Sequence, residues 1–500
     1  MFLLGYDVGS SSVKATLLDA ETGRVVAFAT SPDNEMEIIA HQAGWAEQHP
    51  QVWWENVKIV TAKIKLQAEI DIAEIKAIGI SYQMHGLVVV GKKHEILRPS
   101  IIWCDSRAVG IGKKAALDIG KELCLEHLLN YPGNFTISKL KWVMENEPEI
   151  YSKIYKVMLP GDYIAMKMSD KIQTTCSGLS EGILWDFKTQ ELANIVLNYY
   201  EISSELIPQV VSTFTIQGEL TEKAALELGL KSGTKIAYRA GDQPNNALSL
   251  NVLNPGEIAA TAGTSGVIYG IDDKTNYDPK SRVNTFIHVN HTAENPRYGV
   301  LLCVNGCAIL YRWLKHNFLD FSRNSGAYDR MNMLALQAPA GSRDLIILPY
   351  GNGAERTLEN KNIGAFIHGL NFNIHNISHF LRASQEGIVF ALNYGLEIMK
   401  NMGIEITTVR AGDANLFLSP IFGEIFATTT GVRLELFNTD GSQGAARGAG
   451  IGVGVYKDIQ EAFVGLESTK VIEPDKSQIT IYQELYEKWY NLLKIQIEKG

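Results

Sequence analysis

Asp242 follows an apolar stretch, residues 234–240, and a glycine. A carboxylate at the C-terminal end of a strand faces the crevice where open α/β sheets bind their ligands. From there it can take a proton from a hydroxyl. The same aspartate stands ahead of Pro244-Asn245-Asn246, so it equally fits a helix N-cap. Two short turns of small residues carry the second chemistry. Asp7-Val8-Gly9-Ser10-Ser11-Ser12 and Gly263-Thr264-Ser265-Gly266 each separate two apolar stretches. Backbone N–H groups in such turns can approach an anion closely, and the Ser and Thr hydroxyls add donors. Asp7, just ahead of the first turn, can hold a water of a bound Mg²⁺. Either turn alone reads as an ordinary hairpin. The pair predicts a phosphate clamp with one turn supplied by each of two domains.

Three further stretches offer polar groups at the ends of apolar runs. Gln83-Met84-His85-Gly86 has an amide and an imidazole suited to a polyol, or is a strand–turn–strand with a satisfied polar pair. Trp103-Cys104-Asp105-Ser106-Arg107 presents Asp105 and Arg107, which either pair with one another or meet hydroxyls. Arg410-Ala411-Gly412-Asp413-Ala414-Asn415 would let a flat base lie against the backbone around Gly412 and Asn415, or is a plain strand-to-helix turn. A fourth stretch, Asp440-Gly441-Ser442-Gln443-Gly444-Ala445-Ala446-Arg447-Gly448-Ala449, reads as the start of a helix packed closely on a sheet.

The elements that must position these groups follow from apolar patterning and turn residues. Residues 2–6, 13–18 and 24–29 read as a meander. Residues 58–68 read as a helix, 75–81 as a buried strand and 86–90 as another. Helical patterns dominate 107–160, with 139–147 the clearest and Pro148 opening the next. Strands are expected at 234–240, 257–262, 267–271, 345–348 and 407–411, and helices around 377–401 and 419–430. The 257–271 segment repeats the opening logic of strand, small-residue turn, strand. This predicts an α/β chain of two domains with related topology, divided at 245 into residues 1–245 and 246–500.

The bulk numbers exclude several classes. Five hundred residues exceed one ordinary core. No apolar run reaches the roughly 18–20 residues that span a bilayer, and the opening Met1-Phe2-Leu3-Leu4 lacks a basic region and a cleavage pattern, so neither a membrane span nor a signal peptide is expected. The net charge of −9 argues against nonspecific nucleic-acid binding. Five scattered cysteines, Cys104, Cys124, Cys176, Cys303 and Cys307, argue against a disulfide framework and fit a reducing cytoplasm.

In this order the pieces resemble the FGGY carbohydrate kinases, and within them the xylulokinases. The resemblance covers nearly the whole chain. It rests on Asp7-Val8-Gly9-Ser10-Ser11 with Lys14, Trp45-Ala46-Glu47-Gln48-His49-Pro50 with Trp53-Trp54, Gln83-Met84-His85-Gly86, Trp103-Cys104-Asp105-Ser106-Arg107, Lys139-Leu140-Lys141-Trp142, Gly241-Asp242, Gly263-Thr264-Ser265-Gly266, and Leu348-Pro349-Tyr350 with Glu355-Arg356-Thr357. What it implies is a two-domain actin-like ATPase (ribonuclease H-like) fold, with ATP and sugar in a cleft between the domains. It further implies phosphorylation of D-xylulose to D-xylulose 5-phosphate with Asp242 as base. The N-terminal domain would bind sugar through Gln83, Met84, His85, Trp103, Asp105, Asp242 and Gln243. ATP and Mg²⁺ would engage Asp7, Gly9, Ser10, Ser11, Lys14, Gly263, Thr264, Ser265, Gly412 and Asn415, with the metal reached from Asp7 through water. Gln243 stands where the family commonly has Asn, and the residues around Gly412 replace a run of glycines. A kinase for another sugar or polyol, such as ribulose or a glycerol-like acceptor, a non-catalytic sugar sensor and a chaperone-like ATPase remain as alternatives. Oligomeric state, including a homodimer, stays open.

Overall fold

A computed structural model of the chain describes residues 1–318 and 326–499. The chain forms two compact units. The first comprises residues 1–251, 286–298 and 439–466, and the second residues 252–285, 299–438 and 467–500. The expected division at 245 lies inside the helix Asp242–Ser249. Two later excursions return to the first unit, and these are invisible to a reading that cuts the chain once.

The first unit is built on a six-stranded sheet in the order Phe214–Glu219, Lys235–Gly241, Ile75–Tyr82, Phe2–Val8, Val13–Asp19, Val25–Ser31. Phe2–Val8 pairs antiparallel with Val13–Asp19 and parallel with Ile75–Tyr82, which in turn pairs parallel with Lys235–Gly241. The central strands are apolar on both faces, as parallel strands covered on two sides must be. The helix Pro50–Gln67 packs beside this sheet and starts eight residues before the expected helix at 58, because Pro50 takes its first turn and Trp53 and Trp54 are fully buried on it. The strand expected at 86–90 shortens to Val88–Val90.

The second unit repeats the scheme. Glu257–Ala262 pairs antiparallel with Gly266–Asp272 and parallel with Thr408–Gly412, which pairs parallel with Leu434–Phe437, and an antiparallel strand, Ser468–Ile472, follows at the edge. The related topology expected from the two small-residue turns is therefore present. The helix Ile377–Asn401 has the predicted bounds and lies across this unit's core.

The helix Gly441–Gly452 is the structural helix expected from the small-residue stretch, and it packs on the sheet of the first unit. The approach is close enough to demand glycine on the sheet side. A Cβ at Gly79 would lie 1.9 Å from the Ala445 carbonyl oxygen, and one at Gly5 2.0 Å from that of Ser442. Neither contact can relax by a rotamer change. Gly79→Ala is expected to cost about 1–3 kcal/mol, read as a lower urea midpoint. Gly110→Ala, in the helix Val109–Ile119 with open space at its Cβ, is the control and should hold or raise the midpoint. Equal midpoints for the two variants would refute this account of the packing.

Candidate active site

Three carboxylates gather at the C-terminal ends of the central strands in the first unit. Asp7 is the penultimate residue of its strand and accepts a hydrogen bond from Ser81 Oγ at 2.8 Å on the neighbouring strand. Lys14 sits opposite it in register. Burial raises the Asp7 carboxyl above the ordinary range; Lys14 and Ser81 oppose the shift, and Asp440 adds to it. Asp440 caps the helix Gly441–Gly452, accepting from the Gln443 N–H at 3.0 Å and from Ser442 Oγ at 2.8 Å. A Cβ on Gly441 would stand 2.7 Å from Asp7 Oδ2, so bare backbone is required beside that carboxylate.

Asp242 opens the helix Asp242–Ser249, and Gly241 occupies the cap position. The capping alternative therefore belongs to the glycine. The Asp242 carboxylate instead accepts from its own N–H and from the backbone and side chain of Gln243, while burial and then the Asp7 charge push it up to about 7. A carboxyl that titrates near neutral pH suits a proton acceptor. Gln243 is thus engaged with Asp242 itself.

The 83–86 segment ends the strand Ile75–Tyr82 and turns through His85 at a φ of 61°. His85 Nδ1 lies 2.9 Å from the carbonyl oxygen of Glu181, which places a proton on that nitrogen. Its ring meets Phe135 edge-on at 4.8 Å and Phe286 at 5.5 Å. Lys139 fixes the backbone beneath, donating to the carbonyl oxygens of His85 at 2.8 Å and Ile102 at 3.0 Å. Burial pulls the Lys139 ammonium down to about 7. Met84 is buried against Gly241, where a Cβ would touch its Cγ at 2.6 Å. The buried Gln83 amide has neither end hydrogen-bonded.

Trp103 is half exposed and donates from Nε1 to Ser10 Oγ at 3.1 Å, joining the first turn to the 103–107 segment. Gly9, Ser10 and Ser11 form that turn with their backbone largely tied down: Gly9 donates to Ser12, and the Ser10 and Ser11 carbonyls accept from Gln48 and Met36. Asp105 is fully buried and takes the pairing alternative. It accepts from Arg107 at 2.7 Å and from the Ala46 N–H at 2.6 Å. Arg107 also pairs with Glu47 at 2.6 Å and lies against both the Trp45 and Trp142 rings, 3.9 and 4.6 Å from their centres. Several motifs that carried the resemblance thus meet in one buried assembly behind His85 and Trp103.

In the second unit a cavity of about 330 Å³ is lined by Gly263, Thr264, Tyr311, Arg312, Asp329 and Asn415 among others. The Gly263 and Thr264 carbonyls accept from the N–H groups of Ala308 and Ile309 at 3.0 and 3.3 Å, which seats the turn on the start of the helix Ala308–Phe318. Ser265 bonds to Cys303. Asn415 holds a left-handed φ of 56° and reaches this cavity, while Gly412 ends the strand leading to it.

Sequence reading missed Glu181, Asp440 and Ser81. Ser81 lies at the end of the strand expected at 75–81, where nothing in the pattern marks it as polar-facing. Asp440 opens the small-residue stretch expected to start a close-packed helix, an expectation that accounts for it without a site. Glu181 had no signal, since a lone Glu in Ser-Gly-Leu-Ser-Glu-Gly resembles any surface helix end, yet it is 2% exposed.

The domain profiles of the FGGY family of carbohydrate kinases match this chain, the N-terminal one over residues 2–249 and the C-terminal one over residues 258–452. The xylulose kinase of Bacillus subtilis (strain 168) is 28% identical over 98% of this chain and 96% of its own. Among solved structures, a ligand-bound xylulose kinase from Lactobacillus acidophilus superposes with a TM-score of 0.89 at 25% identity, covering 99% of this chain and 98% of that one. A gluconate kinase from Lactobacillus acidophilus has the same fold, with a TM-score of 0.89 at 24% identity and the same coverage of each chain.

Proposed function

The chain belongs to the FGGY family of carbohydrate kinases, and we propose that it transfers the γ-phosphoryl group of ATP to the terminal hydroxyl of D-xylulose, giving D-xylulose 5-phosphate. The observation that carries this reading is the Asp242 carboxyl, held near neutral pKa beside the buried Gln83 and Met84 and the partly buried His85. Full-length similarity to xylulose kinases supports the choice of sugar. The fold alone does not choose it, because a gluconate kinase shares it.

In this mechanism the first unit binds the sugar through Gln83, Met84, His85 and Trp103, with Gln243 orienting the base. Asp242 accepts the proton from the attacking hydroxyl as the oxygen forms its bond to phosphorus. Asp105 acts from behind, holding Arg107 and the backbone that carries Trp103. The second unit takes the nucleotide in the cavity beside Thr264 and Asn415. The donor set at Asp7 fits a hydrated divalent cation: two carboxylates, Asp7 and Asp440, neighbour one another, and Gly441 leaves the approach open. Bound Mg²⁺ would neutralise charge on the transferring phosphoryl group. Ser81 holds Asp7 by its hydrogen bond, and Lys14 faces it across the strand pair.

A coupled ADP-release assay with D-xylulose, D-ribulose, xylitol and glycerol tests the proposal. D-xylulose should show the highest kcat/KM. A higher value for another acceptor would reassign the sugar, and ATP turnover unchanged by every acceptor would point to a sensor or an ATPase of another kind.

A further inference from the structure

Glu181 ends the short helix Cys176–Glu181 and is 2% exposed. Its backbone carbonyl holds His85, and its side chain lies against Gly241 on the same side as Met84, where a Cβ would stand 2.7 Å from Oε2 and 2.6 Å from Met84 Cγ. The carboxylate is therefore one residue from Asp242 and in the same crevice as Met84 and His85. The Tyr82 hydroxyl is beside it, yet neither Glu181 oxygen nor that hydroxyl makes a well-formed hydrogen bond. A buried carboxylate left in that state costs far more than a paired one.

The charges facing this place are lopsided. Asp242 adds its negative field to Glu181, and Asp162 adds more from behind. The cations nearby are closed off or committed elsewhere. Arg239 is 1% exposed and faces Asp162 at 3.4 Å with none of its nitrogens hydrogen-bonded, so it is closed off from a ligand, and Arg107 pairs with Asp105 and Glu47. Lys139 donates to two backbone carbonyls and, being buried, is drawn toward its neutral form. Among the described residues here, the side chains that can meet a ligand are Gln83, Glu181 and Asp242. These receive hydroxyls. They offer a ligand carboxylate no counter-ion and set it beside buried acids.

We propose that Glu181 is a specificity-determining residue that bonds a hydroxyl of the acceptor next to the one Asp242 deprotonates, and that it restricts the acceptor to neutral polyhydroxy compounds while refusing sugar acids. The inference rests on the kinase reading of the site but not on the identity of the sugar. Glu181 does not touch the reacting atoms in this arrangement, so its removal should act on binding. Losing one hydrogen bond to a charged partner corresponds to roughly a tenfold change in affinity.

The test uses the full chain with saturating MgATP. Wild type should be inhibited competitively by xylitol and not by D-gluconate at the same concentration, a measurement that needs no variant. Glu181→Gln should raise the KM of the best neutral acceptor about tenfold with kcat within about threefold. It should also raise the D-gluconate to neutral-acceptor ratio of kcat/KM by tenfold or more. Competition by D-gluconate in wild type, or a Glu181→Gln variant with unchanged KM and only a lower melting temperature, would overturn the proposal and leave a structural role. A preference for ribulose over xylulose would overturn the proposed sugar and leave this inference standing.

Discussion

Asp242→Asn should lower kcat with D-xylulose and ATP by about 10²–10⁴-fold, the range over which a positioned general base acts, while the sugar KM moves only a few-fold. The asymmetry follows from the geometry. Asparagine has nearly the same shape, and its amide oxygen can still accept from the N–H groups that reach Asp242 and from Gln243. Helix Asp242–Ser249 keeps its cap, because that position is Gly241. What disappears is an acceptor able to hold the hydroxyl proton as the oxygen attacks phosphorus. The other contributions to phosphoryl transfer, positioning and charge neutralisation, stay with groups the substitution does not touch. Steady-state kinetics with both substrates varied provide the check. A purified variant retaining more than about a tenth of wild-type turnover would remove Asp242 from the base role.

The sequence was most readable where periodicity and turn chemistry act locally. The opening meander, the strand before Asp242 and the helix Ile377–Asn401 are each set by short-range patterns, and the structure holds all three. The repeat of strand, small-residue turn and strand was legible because both copies need the same backbone device. Less legible were features set by tertiary contact. The return of residues 439–466 to the first unit depends on Gly5 and Gly79 admitting a helix backbone, a requirement shared by segments more than 350 residues apart. Asp105 and Arg107 were ambiguous as a pair until Trp45, Glu47 and Trp142 closed around them. Glu181 could not be found at all, because its burial is decided by Tyr82, Met84 and Gly241 on other elements. A charged residue in a helix end carries no local mark of being enclosed. Asp440 shows the opposite error. The stretch it opens is the close-packed helix expected from its small residues, and that local explanation leaves its place beside Asp7 unseen.

Without ligands, Asp242→Asn should also make the protein more stable than wild type, and the gain should grow with pH. Burial and the Asp7 charge raise the folded-state pKa of Asp242 from 3.8 to about 7. Below pH 3.8 the carboxyl is protonated in both folded and unfolded chains and contributes no difference. Between that value and 7 the folded chain binds the proton that the unfolded chain has released, so stability falls as pH rises; above 7 the full cost is present. A shift of about three units corresponds to at most roughly 4 kcal/mol, and partial solvent access will reduce it. Lys139 works in the other direction. Its folded pKa is lowered from 10.5 to about 7, so the cost of charging it is full below 7 and is relieved as pH climbs toward 10.5. The wild-type curve alone therefore mixes opposing trends, and the informative quantity is the difference between variant and wild type. Urea melts in chelator at pH 4.5, 6 and 8 should give a small difference at the first pH and a gain of the order of 2–4 kcal/mol at the last. A difference that is flat across the three would mean that Asp242 is not held out of its ionised form by the fold, and would take away the physical basis for a base poised near neutral pH.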